Sequence, residues 1–192
     1  MNYFDKVHQF VVDSFSKSGG TQGLRHFDRT VYWAEQLKPD ADDALKIAAV
    51  AHDIERAFRD PSKESAAKSE EGFKGEFFTK YHPEKGAEIV GEVLTKEDAP
   101  LELVNRVKAL IAKHEVGGDE DQNLLKDADS ISYFENQVDH FITKQAKEIG
   151  FDKVKAKFDW MYERITSEKA REIARPMYEA AIKKLKHASD DR

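Results

Sequence analysis

The chain of 192 residues contains no cysteine, which excludes disulfides, thiolate metal ligands and a cysteine nucleophile, and removes the usual mark of a small secreted scaffold. Basic charge is not in excess either. Lys and Arg number 31 against 37 Asp and Glu, giving a net charge of -6 and a pI of about 5.7. A basic stripe, the footprint of phosphate-backbone recognition, is therefore not expected, and nucleic acid is not a predicted partner. Small anionic substrates stay open, because a cationic metal pocket overrides the sign of the surface around it. No apolar run approaches the ~18 to 20 residues of a membrane span. The N-terminal stretch MNYFDKVHQFVVDSF interrupts its apolar residues with Asp5, Lys6 and Asp13, unlike a signal peptide. Cytoplasmic location, with no membrane partner, is the default that these missing signals leave.

Alternating, strand-like runs are nearly missing as well. Apolar residues recur instead at intervals of three and four, which predicts an all-α protein, a single-domain helical bundle. Repeats, low-complexity tracts and interdomain linkers are not found, and 192 residues suit one domain with a full core. A first helix is expected from Tyr3 to about Phe15, stopping at Ser18-Gly19-Gly20. A second carries His26, Val31, Ala34 and Leu37 and ends at Lys38-Pro39. Asp40 or Asp42 caps the third, which runs through Leu45, Ile47 and Val50 to His52-Asp53. From Arg59 to Lys80, Asp60-Pro61, Gly72 and Gly75 interrupt a polar stretch, and loops with short helices are expected. Pro83 suits the first turn of a helix with His82 at its entrance. Ala99-Pro100 opens another that delivers His114 near its C-terminal end, and a further helix holds Asp127 and Asp129. The chain from about Asn136 reads as two or three more amphipathic helices, with Pro176 starting or kinking the last.

Against this background the histidines stand out. His52-Asp53 closes the apolar helix LKIAAVAHDI, where adjacent side chains diverge by roughly 100° and can flank a metal. The dipeptide alone carries little weight, since 7 histidines and 18 aspartates in 192 residues give about 0.7 such pairs by chance. The set carries more. His26 lies upstream and His82, His114 and Asp129 downstream, and neutral imidazole with ionised carboxylate suits iron, manganese, zinc, cobalt or magnesium. A metal-dependent enzyme is the leading reading.

The order His26, His52-Asp53, Asp129 in a helical chain resembles the HD superfamily of metal-dependent phosphohydrolases. RHFDRTVYWAEQL is similar to its first histidine helix, AAVAHDIER to its signature and LKDADSIS to the segment with its closing aspartate. YHPEKGAEIV resembles the His-Pro-x-x-Gly-Ala segment, and LIAKHEVGG the His-Glu segment, of subgroups that bind two metals. The resemblance covers most of residues 20 to 135. It implies a metal-binding core there, with additional helices from about 136 to 192 that complete the core or supply a homodimer surface. It also implies that His26, His52, Asp53 and Asp129 form the basic ligand set, and that His82 and His114 complete a second site with Asp53 bridging. One or two divalent ions would then activate a water against a phosphoester or phosphoanhydride of a small, nucleotide-like molecule.

Asp129 is preferred to Asp127 because Ala128-Asp129-Ser130-Ile131 matches the family segment, and the two aspartates point ~200° apart on a helix. Asp127 is left a role behind the ligands. Glu55 falls where some relatives place an acidic residue near the leaving group or attacking water, with a solvated charge as its alternative. Arg25, Arg56, Arg59 and Lys113 flank the ligands and are candidates for holding substrate phosphate. Lys113-His114 replaces the His-His pair of some relatives, which argues against a third metal. His8, His140 and His187 match nothing in the family and read as structural or exposed. No Gly-rich phosphate loop and no Gly-x-Ser-x-Gly elbow occurs. The same ligand pattern is found in di-iron oxygenases resembling myo-inositol oxygenase, and a non-catalytic module that senses a nucleotide or metal is a third reading.

Overall fold

A computed structural model describes residues 2–18, 23–59 and 74–190; the loops expected at Gly19-Gly20, Asp60-Pro61 and Gly72 lie outside the described residues. Every regular element among the described residues is helical, as the apolar periodicity predicts. α1 (Tyr3–Ser18) buries Val7, Val11, Ser14 and Phe15, spaced three and four apart, and packs on α3. α2 (Leu24–Leu37) turns His26, Phe27, Thr30 and Ala34 inward in the same way. α3 (Asp43–Ala51) starts where the Asp42 carboxylate accepts the Leu45 N–H at 2.9 Å. Its Ala44, Leu45 and Ile47 to Ala51 are all buried, so it runs through the middle of the bundle. A 3-10 turn (Ile54–Ala57) follows it directly.

α4 (His82–Lys96) begins at His82 with Pro83 in its first turn, as expected, and it is entered directly from a π-helical turn (Phe77–Tyr81). Pro83 brings no N–H to the ladder, and the wider turn sits where that bond is missing. On α4, Gly86 allows a close approach: a Cβ there would stand 3.3 Å from the His52 carbonyl. α5 (Leu101–Ile111) ends three residues before His114, which sits in the turn that follows. That turn closes at Gly117, whose φ of 76° is one that side-chain-bearing residues seldom adopt.

α6 (Glu120–Asn136) opens on a reciprocal cap between Asp119 and Gln122, and every residue from Leu125 to Phe134 is buried. It is the shared wall of two apolar clusters. Leu125 and Ala128 join the cluster built by α1 to α5, while Ile131, Tyr133 and Phe134 join one built by the C-terminal helices. The latter are α7 (Val138–His140), a second π-helical turn (Phe141–Gln145), α8 (Ala146–Ile149), α9 (Phe151–Glu163) and α10 (Glu168–Asp190). Pro176 does not start the last helix, which begins at Glu168 and runs through it. The start is set by Ser167, whose hydroxyl accepts the Ala170 N–H, and by Asp127, whose carboxylate takes the N–H groups of Thr166 and Ser167 at 2.7 and 2.8 Å. The expected place of Asp127 behind the ligands is therefore corrected. It faces away from Asp129, as helix geometry requires, and ties the α9–α10 loop to α6.

Candidate metal centre

The two clusters meet where α2, α3, α4, α5 and α6 bring four histidines together. His26 stands in the first turn of α2, His52 at the end of α3, His82 at the start of α4 and His114 just past α5; all four are buried. Their rings form an unbroken row, with centroids 5.3 Å apart from His26 to His52, 5.1 Å from His52 to His114 and 5.3 Å from His114 to His82.

Each ring is oriented through Nδ1. His52 and His114 donate to the carbonyls of Ala49 and Ile111 at 2.9 and 2.8 Å, and a carbonyl can only accept, so the proton lies on Nδ1. The Ser132 hydroxyl donates to the His26 carbonyl at 2.7 Å, which leaves its oxygen to accept from His26 Nδ1 at 2.9 Å. Glu55 accepts from His82 Nδ1 at 2.9 Å. All four Nε2 atoms then turn inward toward carboxylates. His26 Nε2 is 3.1 Å and His52 Nε2 3.5 Å from one Asp129 oxygen, while His82 Nε2 is 2.8 Å and His114 Nε2 3.8 Å from one Asp53 oxygen. Among the described residues, His52 Nε2 and His114 Nε2 are fully buried without a hydrogen bond. Ring nitrogens held by Nδ1 with bare Nε2 lone pairs among carboxylates call for positive charge between them, either protons or a metal ion.

Two groups bring their candidate ligand atoms within 4.8 Å of one another: Asp53, His82, His114 and Glu115, and His26, His52 and Asp53. Asp53 belongs to both, as a bridging carboxylate would, and Asp129 lies against the histidines of the second. The buried His and carboxylate groups can hold a metal ion. Glu115 was not among the residues singled out from sequence, although it adjoins His114 in the His-Glu segment.

Charge around the groups is balanced by neighbouring cations. Burial opposes ionisation of Asp53, but the Arg56 guanidinium, at 2.6 Å, with His52 and His82, holds its carboxyl well below the usual range. Burial likewise disfavours a charged Asp129 or Glu115, and the Arg164 guanidinium outweighs it for both, bringing Glu115 down to about 2. Arg164 bonds Asp129, Glu115 and the Ser130 hydroxyl together, so one side chain from the α9–α10 loop joins Glu115 of the first group to Asp129 beside the second. Burial also lowers His52, but Asp129 and Asp53 overturn it and raise the ring to about 9. His82 is raised in the same way by Asp53 and Glu55 against its own burial.

A cleft of about 540 Å³, counted to its open mouth, leads to these groups and is lined by His26, Asp53, His82, Glu115 and Asp129 on its floor. Of the phosphate-holding candidates, Arg56 and Arg59 line it; Arg25 and Lys113 are exposed and do not. Arg59 is engaged by Glu55 through both carboxylate oxygens. Glu55 itself stands behind His82, buried, which makes it an orienting group for that ring and takes it away from the cleft floor. The rest of the lining comes from residues that sequence left without a role: Tyr133 on α6, Phe141 in the second π-helical turn, and Lys157 and Met161 on α9. Phe78 from the first π-helical turn completes the mouth. His8 pairs with Asp28 at the surface, and His140 and His187 belong to neither ligand group.

The model of a protein family described as a domain of unknown function, DUF4202, matches residues 3–185, and the chain belongs to that family. No curated protein and no solved structure matches it. Among the described residues, no helix is long and apolar enough to cross a membrane.

Proposed function

We propose that this member of the family is a metal-dependent phosphohydrolase of the HD type, acting on a phosphoester or phosphoanhydride of a small, nucleotide-like molecule. The observation that carries the reading is the convergence of four Nε2 atoms, each aimed by an oxygen on its Nδ1, upon carboxylates that alternate between two groups. His26, His52, Asp53 and Asp129 would hold one cation, and Asp53, His82, His114 and Glu115 a second. Mixed imidazole and carboxylate ligands suit iron, manganese, cobalt or zinc better than magnesium, which favours oxygen alone. Bound dications would supply Lewis acidity toward a phosphoryl oxygen and lower the pKa of water beside it.

Protein charge supports an anionic substrate. The carboxylates of Asp53, Glu55, Glu115 and Asp129 are matched in number by Arg56, Arg59, Lys157 and Arg164. With neutral imidazoles these groups nearly cancel among the described residues, so each dication would leave a surplus of positive charge in the cleft. Arg56, half-exposed at the mouth, is placed to meet an incoming phosphate. Phe78, Phe141 and Met161 offer an apolar rim for the rest of the molecule.

The test is an assay of nucleotides and other phosphoesters with the full chain, supplied in turn with manganese, cobalt and zinc under argon. Release of phosphate that stops with chelator and is lost in Asp53→Ala is expected. Normal metal content and full activity in Asp53→Ala would end the reading. Stoichiometric di-iron with oxygen-dependent turnover would replace hydrolysis by oxygenase chemistry. Absence of any turnover, with a nucleotide raising the melting temperature, would favour a sensing module.

A further inference from the structure

We propose that the Tyr133 hydroxyl and the Lys157 amine form an oxyanion subsite that holds a phosphoryl group beside the metal ligands. Asp129, Tyr133 and Gln137 succeed one another at intervals of four along α6 and its C-terminal cap, so one face of this helix looks into the cleft, and all three line it. Tyr133 therefore stands one helical turn from a metal ligand. Its ring is fixed by edge contacts with Phe134, Phe141 and Phe158, at centroid distances of 5.5, 5.3 and 6.1 Å. Its hydroxyl is fully buried and, among the described residues, has no hydrogen-bond partner. A buried donor left unsatisfied lowers the stability of the fold, and phenylalanine would fill the same space without that cost. A ligand group that accepts from the hydroxyl removes the conflict.

Lys157 supplies the matching charge. It reaches the cleft from α9 with its stem buried, and its amine lies 4.4 Å from the centroid of Trp160 and 5.7 Å from that of Tyr133. The two groups thus come from different helices into one cleft, which His26 and His82 also line. Burial holds the Lys157 amine down to about 8, which leaves it charged at neutral pH. A hydroxyl and an ammonium facing carboxylate-bound cations recognise an oxyanion with several acceptor oxygens, and a phosphoryl group has three.

This subsite rests on reading the cleft as a metal centre for phosphorylated molecules, but it is measured without turnover. Inorganic phosphate is titrated calorimetrically into the zinc-loaded full chain after free ion has been removed, and into Tyr133→Phe and Lys157→Met loaded alike. Each variant is expected to bind phosphate about tenfold more weakly than the unaltered chain. Tyr133→Phe should also melt at the same or a higher temperature, and both variants should keep their metal. Equal phosphate affinity in all three proteins overturns the subsite, as does failure of the unaltered chain to bind phosphate. A lower melting temperature for Tyr133→Phe would show that the hydroxyl has a structural partner and count against it as well. Hydrolysis of an ester with unchanged phosphate affinity in the variants defeats the subsite alone. Tyr133-dependent phosphate binding with no turnover of any ester defeats the hydrolase reading and leaves the subsite standing.

Discussion

Asp53 is the residue on which both ligand groups depend, and three of its neighbours are held by it: His82 Nε2, Arg56 and, more distantly, His114 Nε2. Replacing it by alanine should remove the metal from both groups, which elemental analysis of the purified variant would detect. Glu55 acts one step back. Glu55→Gln still accepts from His82 Nδ1 but without a charge, and metal affinity should fall by about 10- to 100-fold, as competition with a chromogenic chelator would measure. The histidines also set a pH dependence for the metal-free protein. His52 is raised to about 9 and His82 is raised too, so the folded chain binds more protons than the unfolded one above the ordinary imidazole value near 6.5. Their stabilisation is complete below that value and is lost as pH rises. Lys157, lowered by burial to about 8, has the opposite effect above that pH, which leaves 6.5 to 8 as the clean window. Across it, His52 alone should cost about 2 kcal/mol, read from urea unfolding with chelator present. Saturating metal takes the place of those protons and should abolish the slope; a flat or rising profile without metal would contradict the assignment.

At the scale of elements, α6 decides most. Its Asp129 meets His26 and His52, its Ser132 orients His26, and its Asp127 anchors the loop that carries Arg164. Asp127→Ala strips two backbone N–H groups of their acceptor and should cost about 1 to 2 kcal/mol, measured as a shift in the denaturation midpoint. Because Asp127 does not touch the ligands, the variant should still bind metal. The helices bearing His26, His52 and Asp129 could be read from the sequence, since their apolar spacing and end signals are local. Two things were not legible. Local signals rightly read Pro83 as lying in the first turn of α4, but the π-helical turn that leads into it answers a missing hydrogen bond and has no signature of its own. The Ser167 and Asp127 cap of α10 brings together residues about forty positions apart, so Pro176 stood out instead. In the site, Glu115 could have been read from its place beside His114. Arg164 and Lys157 could not, since amphipathic spacing on α9 and its loop looks the same whether a basic residue meets solvent or a buried carboxylate.

The whole molecule is built so that the candidate metal ligands in the cleft come from α2 to α6 and the rest of its lining includes residues of α6 and α9. The C-terminal helices are therefore part of the cleft as well as of the core. A chain ending at Asn136 would expose Tyr133 and Phe134 and leave Glu115 and Asp129 without Arg164, two carboxylates buried with no guanidinium. Such a chain should lack a cooperative thermal transition by circular dichroism. The net charge of -6 is compatible with the proposed anionic substrate, because dications held in the cleft would supply a positive surplus locally. Everything proposed for the chemistry rests on the row of four histidines holding ions, and metal stoichiometry tests this most directly. The full chain, stripped with chelator, reloaded with manganese, cobalt or zinc and desalted, should retain about two ions per chain by mass spectrometry, and Asp53→Ala none. An unaltered chain that retains no ion under those conditions would contradict the account.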